Sequence, residues 1–548
     1  MKKLTALAAL LVISSSVSWG QTNEQRNAYN IRRGLESYDA QNYKDAVGFF
    51  YKETVDNPSN PLGYYFVADI MSNHEKVGLA IQFYGLALQH LAPKDEYYSM
   101  ALCGRSAMYD VIDADKAALA DYSVAVKSCK DAYALIHRAL YYGRKNRLND
   151  AIADLEAAKK KVNDSQSLEY INNCIAIFYA RLGEHDKALG IFNSLLGNPQ
   201  VESYIPSYIL SRGRVLYALG KYDEAMDDFV DAYSKGNYEG RDYMVDSVPL
   251  DVALPKLLKA AAGQSPVSAY FHLIAADALY SNNKFAEARK EYRIHYAACD
   301  DHPDSKYGAI ANTYYAQFAL SKAEEVYLQQ EKLSSSTRSG LYYIYYSMGE
   351  TDKAAAQLDS LIEEEPDNCW PYAEKASLLW RSGCPDKALI RNLCDVSLLL
   401  FDNYISPLIT KSLLCLQEGD TAEAVALARK VVDIASTEDL KQNDAVLTAY
   451  CVLGQPDKAM DYLNNWEQSL KVNVFDVGVY RARLIANSML GRGAAALASM
   501  RKLLENGYYD FHFFKTNPIL DNLRKEQGFD AMVSEFYPLY EMSLSNID

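Results

Sequence analysis

One residue pattern recurs about every 34 residues along almost the whole chain, and it constrains the fold more than any other feature. In each copy, apolar and aromatic residues lead to a glycine or polar turn. Tyr or Phe follows, then an Ala three positions later, and an aromatic residue or Leu four positions after that. GLESYDAQNYKDAVGFF, from Gly34, matches GRVLYALGKYDEAMDDF, from Gly213. Self-similarity at this period indicates a repeat architecture, in which each unit packs against its neighbours.

The alanine that follows each turn marks thirteen copies of the pattern. These alanines are Ala46, Ala80, Ala118, Ala151, Ala188, Ala225, Ala288, Ala323, Ala354, Ala388, Ala424, Ala459 and Ala496. The interval from Ala225 to Ala288 is 63 residues, which is too long for one repeat. We therefore predict six repeats before this gap and seven after it.

The pattern resembles the tetratricopeptide repeat, a helix–turn–helix unit with small and aromatic residues at these offsets. The sixth copy matches best, with Gly213, Tyr217, Gly220, Tyr222, Ala225, Phe229 and Ala232 in the expected places. The tryptophan that this family carries early in helix A is mostly replaced here by Tyr, Leu or Ile. The resemblance implies an all-α fold, a right-handed superhelical solenoid of about thirteen repeats, with helix A of each repeat lining a concave face.

The physical basis of the pattern is that two short helices cannot bury both of their apolar stripes within one unit. A small residue in helix A, such as Gly213 or Ala139, lets helix B approach closely. Aromatic residues such as Phe50 and Phe229 then fill the wedge between packed helices. Stability is therefore a sum over neighbouring interfaces, and several units are needed before any one of them is stable.

The 63-residue interval predicts a division into two arrays. KGNYEGRDYMVDSVPLDVALPKL, from Lys235, resembles the C-terminal ENGYYDFHFFKTNPILDNLRK, from Glu505. Because a terminal repeat needs a modified end to cover its apolar face, residues 236–262 are interpreted as an internal cap. The alternative is one inserted helix in a continuous superhelix. The predicted domains are a signal peptide at 1–20, a first array at 21–262, a second array at 263–505 and capping helices at 506–548.

The first twenty residues predict export. Lys2 and Lys3 precede an apolar stretch, Leu4 to Ile13, that is too short to span a bilayer. Ser18 and Gly20 stand at the −3 and −1 positions of a cleavage site before Gln21. We expect a bacterial protein that is periplasmic or secreted after cleavage near Gly20.

Composition excludes several classes of function. The chain is 49% hydrophobic and carries a net charge of −15. An acidic protein repels phosphate backbones, so we expect no nucleic-acid partner. Mean hydropathy is −0.23, and no later segment approaches the length of a membrane span, so no membrane-spanning segment is expected.

The chain carries no recognisable catalytic motif, and we expect neither enzymatic activity nor a cofactor. No metal site is predicted, since the short cluster of His295, Cys299 and His302 lacks a fourth ligand. The nine cysteines contain no Cys-x-x-Cys pair. One disulfide is plausible, because Cys369 opens helix A and Cys394 lies near the end of helix B in the tenth repeat.

The remaining candidate is a surface. Carrying the family's inward-facing positions over to repeats seven to ten implies a concave set of Tyr270, Tyr280, Asn312, Tyr315, Tyr343, Tyr346, Trp370, Trp380 and Arg381. Rigid amphipathic rings with a few polar groups are typical of binding grooves, although single members of such a set also pack on adjacent helices. The predicted function is a non-enzymatic protein–protein interaction scaffold of the bacterial envelope that binds an extended peptide or partner there. The alternative is a carbohydrate-binding accessory protein of nutrient uptake. The oligomeric state and the identity of the partner stay open.

Overall fold

The computed structural model describes residues 28–129, 131–299, 303–438, 440, 443–469 and 476–545. All regular structure in this part of the chain is helical, which confirms the all-α prediction. None of the helices described there is both long and apolar enough to cross a bilayer. The predicted signal peptide, residues 1–20, lies outside the described residues.

Contacts between residues divide the chain into two units, with the boundary between Tyr243 and Met244. The described part of the first unit forms six consecutive pairs, each of an A helix followed by a B helix. The pairs are α1 (Tyr29–Asp39) with α2 (Tyr43–Asp56), α3 (Pro61–Asn73) with α4 (Val77–His90), α5 (Glu96–Val111) with α6 (Asp115–Ser128), α7 (Tyr133–Arg144) with α8 (Leu148–Lys159), α9 (Ser165–Arg181) with α10 (His185–Gly197), and α11 (Ile205–Ala218) with α12 (Tyr222–Ser234).

The second unit begins with one extra helix, α13 (Leu250–Ala261), and continues with seven pairs. These are α14 (Ser268–Ser281) with α15 (Phe285–Ala298), α16 (Pro303–Tyr315) with α17 (Leu320–Tyr327), α18 (Ser335–Met348) with α19 (Thr351–Glu364), α20 (Cys369–Arg381) with α21 (Lys387–Leu400), α22 (Ile405–Glu418) with α23 (Thr421–Glu438), α24 (Asp444–Val452) with α25 (Pro456–Gln468), and α26 (Val477–Met489) with α27 (Gly493–Glu505). A C-terminal cap follows, made of α28 (Phe511–Thr516), α29 (Asp521–Arg524) and α30 (Phe529–Ser545).

The A helices form the inner layer of the second unit. Each of them packs on its own B helix, and several A helices of successive pairs also pack on one another, as α20 does on α22 and α24 on α26.

The predicted alanines mark the start of the B helices. Twelve of the thirteen stand at the fourth residue of a B helix and are completely buried, as Ala225 is in α12 and Ala354 in α19. The exception is Ala388, which is exposed, and the buried residue at that position of α21 is Ile390. The turn after Gly383 is two residues longer than the turn after Gly220, so the tenth marker was misplaced.

The small residues of the A helices do admit the aromatic residues of the B helices, as the pattern predicts. A Cβ added to Gly34 would lie 2.4 Å from the Phe50 ring, and one added to Gly213 would lie 2.9 Å from the Phe229 ring. Both phenylalanines are completely buried. A side chain at either glycine would push the two helices of its pair apart.

The boundary between the two units lies within the interval from Ala225 to Ala288, but earlier in the chain than the sequence suggests. The prediction places residues 236–262 at the end of the first array, yet the observed boundary follows Tyr243 and puts α13 in the second unit. The physical reason is that α13 packs along α14, and its Leu250 and Leu254 contact the core that contains Leu279. This helix therefore covers the exposed end of the pair that follows it.

Buried ion pairs join the two helices of several pairs in the first unit. Arg138 on α7 donates two hydrogen bonds of 2.7 Å to the carboxylate of Asp154 on α8. Arg212 makes the same two-bond contact with Asp228 in the sixth pair, at 2.8 and 2.7 Å. This geometry fixes the register of helix A against helix B.

Candidate partner-binding surface

The nine predicted groove residues all lie on A helices of the second unit, from α14 to α20. Their side chains nevertheless fall into three different environments. Some pack against neighbouring helices, some face the C-terminal cap, and the exposed Tyr343 lies beside the partly exposed Trp370.

Tyr270 and Tyr280 pack within their own helix pair. The ring of Tyr270 lies 5.4 Å from that of His295, and the ring of Tyr280 lies 5.2 Å from that of Phe285, both on α15. Burial raises the pKa of Tyr280. Both rings pack on α15 and are partly exposed, and their predicted place on a ligand-binding face stays a prediction.

Asn312 and Trp380 both accept or donate hydrogen bonds within the stack, but Asn312 is exposed and Trp380 is buried. The Tyr327 hydroxyl of α17 donates to the Asn312 side-chain oxygen at 3.3 Å. Trp380 is only 5% exposed, and its indole N–H donates to the Gln417 side-chain oxygen on α22 at 3.0 Å. Trp380 therefore contributes to packing between α20 and α22, and the binding role predicted for it stays a prediction.

Tyr315, Tyr346 and Arg381 face the C-terminal cap of their own chain. The ring of Tyr346 meets His512 edge-on at 5.5 Å, and the Arg381 guanidinium lies 5.6 Å from the centre of the Tyr346 ring. The hydroxyls of Tyr315 and Ser347 lie 3.2 Å apart. These residues lie against the cap, and their predicted place on a concave face stays a prediction.

The cap is fixed to α16 and α18 by several close contacts. The Tyr508 ring lies 4.9 Å from the Phe318 ring, and the Tyr540 hydroxyl donates to the Phe318 carbonyl at 3.3 Å. A Cβ at Gly349 would come within 2.8 Å of His512 Nδ1. The cap therefore leaves this part of the inner layer without room for a partner segment.

Charged groups lie together under the cap. Arg481 on α26 pairs with Asp444 on α24 at 2.5 Å. The Tyr508 hydroxyl donates to Asp510 at 3.4 Å. Burial raises the pKa of Asp510 to about 6, although Arg481 and Arg381 lie close enough to oppose the shift. These groups stabilise the contact between the cap and the A helices.

Tyr343 is exposed and Trp370 is partly exposed, and both form part of an aromatic strip. We use this name for Tyr342, Tyr343, Trp370 and Tyr404. The Tyr343 ring lies 4.8 Å from Tyr342 and 6.3 Å from Trp370, and it is 42% exposed. Tyr404, between α21 and α22, is close enough to Tyr343 for their hydroxyls to interact electrostatically. The strip thus crosses three successive helix pairs.

One carboxylate lies within the aromatic strip. The Tyr342 hydroxyl donates to Glu374 at 2.8 Å. Burial and then the Glu374 charge raise the pKa of Tyr343 to about 12, so its hydroxyl stays neutral and able to donate at physiological pH. The strip offers flat apolar rings, neutral hydroxyls and negative charge.

Sequence reasoning missed Tyr404, which precedes the first residue of α22. The available signal was its equivalence to Trp370, since both residues stand where an A helix begins. Sequence reasoning predicted capping helices at 506–548 but not the residues they pack against, because those contacts join residues far apart in the chain. Tyr540 and Phe318, for example, are 222 positions apart.

The structure does not contain the predicted disulfide. All nine cysteines lie within the described residues and are free thiols. Cys394 is completely buried, and the residue of α21 that meets the start of α20 is Ser397, whose hydroxyl donates to the Cys369 carbonyl at 2.9 Å. The position opposite Cys369 is thus one helical turn beyond Cys394.

The short cluster at the end of α15 serves packing where it is described. His295 is buried, and its Nδ1 atom lies 2.8 Å from the carbonyl oxygen of Ala269. His302 lies outside the described residues. In the described part of the chain, no three His, Cys, Asp or Glu side chains are grouped so that they could hold a metal ion.

Two segments of the second unit match sequence profiles of the tetratricopeptide repeat, at residues 250–303 and 343–368. The chain therefore contains tetratricopeptide repeats. The first match runs from the start of α13 beyond the end of α15, and the second runs from within α18 to the turn before α20. The sixth pair, whose residues match the repeat pattern at the most positions, lies outside both segments. No curated protein sequence matches the chain.

Solved structures with similar arrangements are helical repeat proteins. The maize pentatricopeptide repeat protein PPR10 is 13% identical, with a TM-score of 0.42, over 94% of this chain and 79% of its own. Yeast Tom70 is 13% identical, with a TM-score of 0.30, over 95% of this chain and 100% of its own. YrrB, described as a TPR protein with an unusual peptide-binding site, is 16% identical, with a TM-score of 0.28, over 35% of this chain and 93% of its own.

Proposed function

We propose that this protein is a non-enzymatic interaction scaffold and that its second unit binds an extended segment of a partner protein on the aromatic strip. The observation that supports this most is the Tyr343 ring, which is 42% exposed and lies beside the partly exposed rings of Trp370 and Tyr404. Tetratricopeptide repeats generally mediate protein–protein interaction, so a binding surface is the expected feature of such a stack.

The chemistry of the strip fits a peptide. Tyr and Trp bury a large area at little cost in side-chain entropy, and their polar atoms still reach hydrogen-bond partners. The neutral Tyr343 hydroxyl and the Glu374 carboxylate provide a donor and an acceptor for a peptide backbone or a basic side chain. An extended segment could contact Tyr343, Trp370 and Tyr404 in turn.

We place this scaffold in the bacterial envelope, as a periplasmic or secreted protein. The support is the leader-like sequence of residues 1–20, with Lys2 and Lys3 before an apolar stretch. Mass spectrometry of the protein from fractionated cells tests this. An exported form that begins at Gln21 is expected, and a cytoplasmic form that retains Met1 would contradict it.

Capture of partners from an envelope extract tests the binding surface. The bait carries Tyr343→Ala with Trp370→Ala, and the control bait carries Tyr51→Ala with Tyr238→Ala, two tyrosines of the first unit that are more than half exposed. A partner should be lost from the first bait and kept by the control and the wild type. If both altered baits retain every partner, the strip is not the binding surface.

The same two baits, applied to a glycan array, test the alternative ligand class. Aromatic rings beside a carboxylate also suit sugar stacking. Glycan binding that depends on Tyr343 and Trp370, in the absence of a protein partner, would replace the proposed peptide ligand with a carbohydrate.

A further inference from the structure

One guanidinium group beside the C-terminal cap lacks a carboxylate partner. Arg381 stands at the end of α20 and is partly exposed. Its guanidinium lies 5.6 Å from the centre of the Tyr346 ring, which attracts it through a cation–π contact. Within the described part of the chain, no carboxylate lies at ion-pairing distance from Arg381. Glu374 and Asp510 act on it only over a longer range.

The other charged groups around Arg381 already have partners. Glu374 accepts a tyrosine hydroxyl at 2.8 Å, and Asp444 pairs with Arg481. Asp510 accepts a backbone N–H at 2.9 Å and a tyrosine hydroxyl at 3.4 Å. Because charged groups inside proteins are normally paired, Arg381 is the group in this set that is available to a ligand.

A second hydrogen-bond donor lies beside Arg381. The Tyr346 hydroxyl is near the guanidinium, is shielded from water and has no hydrogen-bond partner among the described residues. A buried hydroxyl without a partner costs free energy. One acceptor group with two oxygens satisfies both donors.

Solvent reaches this region although the cap packs on it. The Arg481 side chain is 43% exposed, and Tyr315, Tyr508 and His512 are partly exposed. The cap excludes a chain segment here, but a small solute reaches the same side chains as water does.

We propose that Arg381 and the Tyr346 hydroxyl bind the carboxylate of a small monovalent organic acid beside the cap. The planar guanidinium matches a carboxylate with two parallel hydrogen bonds, and the tyrosine hydroxyl donates a third. The carboxylates of Glu374 and Asp510 repel a second negative charge, which disfavours phosphate and dicarboxylates. This site is separate from the aromatic strip and does not depend on the proposed partner.

Ligand-observed NMR on the full-length protein tests this. The probe is propionate, and its neutral control is n-propanol. Saturation-transfer signals should show saturable binding of propionate and none of n-propanol. Acetate should displace propionate, and inorganic phosphate should displace it much less.

Matched variants assign the binding to these two side chains. Arg381→Gln should weaken propionate binding by about tenfold or more, because it removes the charge-assisted hydrogen bonds. Tyr346→Phe should weaken it by about three- to tenfold, and it keeps the ring that packs on His512, so the fold is preserved. Arg429→Gln, at an exposed arginine of α23, should leave binding unchanged.

Four results would overturn the inference: no saturable binding of propionate, equal binding of n-propanol, equal loss in Arg429→Gln, or displacement by phosphate as effective as by acetate. Partner capture by the Tyr343 and Trp370 bait is measured separately, so failure at Arg381 leaves the proposed function intact.

Discussion

At the scale of single residues, the pattern identified positions of close approach correctly but did not distinguish a ring that packs from a ring that binds. Gly213 and Phe229 fit together because one lacks a side chain where the other needs room. Tyr280 and Tyr343 follow the same local pattern, yet one packs on Phe285 and the other is exposed. Exposure depends on neighbouring helices, which a local pattern does not contain.

Gly213→Ala should destabilise the first unit by about 1–3 kcal/mol, because the new Cβ would meet the Phe229 ring and the Asp228 Cβ at 2.9 and 3.0 Å. The matched control is Gly190→Ala, at an exposed helical position with no atom within 4 Å of the added Cβ. The control should raise stability by about 0.5–1 kcal/mol. Urea denaturation measures both, and equal effects would contradict the packing described for Gly213.

His137 should make the first unit less stable in mild acid. Burial, helped by the charge of Arg144, lowers the pKa of His137 to about 4. Because the unfolded chain binds this proton near pH 6.5, stability is fully present above that pH and falls by about 3 kcal/mol on going down to pH 4. His137→Gln should remove that part of the slope of unfolding free energy against pH, and an unchanged slope would show that the histidine is already charged in the fold.

At the scale of elements, the 34-residue repeat period predicted the thirteen helix pairs, because the two helices of each pair are joined by contacts between residues close in sequence. The exact first residue of a B helix depended on the length of the turn before it. In the tenth pair, the longer turn after Gly383 moves the buried position from Ala388 to Ile390. The position of the predicted disulfide depended on the same detail, because Ser397, and not Cys394, is the residue of α21 that contacts Cys369.

The register of α21 can be tested by two substitutions. Ile390→Ala removes buried methyl groups and should cost about 2–4 kcal/mol. Ala388→Lys, at an exposed position, should change stability by less than about 0.5 kcal/mol. Thermal unfolding measures both variants. If Ala388→Lys lowered the unfolding temperature more than Ile390→Ala, Ala388 and not Ile390 would be the buried residue.

Alkylation tests the cysteine assignment at the same scale. Under denaturing but non-reducing conditions, all nine cysteines should take up the reagent, because all are free thiols. A tryptic fragment in which Cys369 remains joined to Cys394 would contradict the observed contact between α20 and α21.

At the scale of the whole molecule, the sequence predicted capping helices at 506–548 after the second array, but not the helices against which they pack. Its C-terminal cap packs on α16 and α18 through Tyr508, His512 and Tyr540, so it covers part of the groove that the pattern assigned to a partner. No repeat pattern contains contacts between residues 222 positions apart. The aromatic strip, with Tyr343 as its exposed member, is a smaller surface than the predicted concave face.

The most direct test of the account is photo-crosslinking in living cells with Tyr343→p-benzoylphenylalanine, compared with the same replacement at Tyr51 on the first unit. We expect irradiation to join one discrete partner protein to position 343 and none of that protein to position 51. The absence of any adduct at position 343, or the same adducts at both positions, would contradict a partner-binding surface on the aromatic strip.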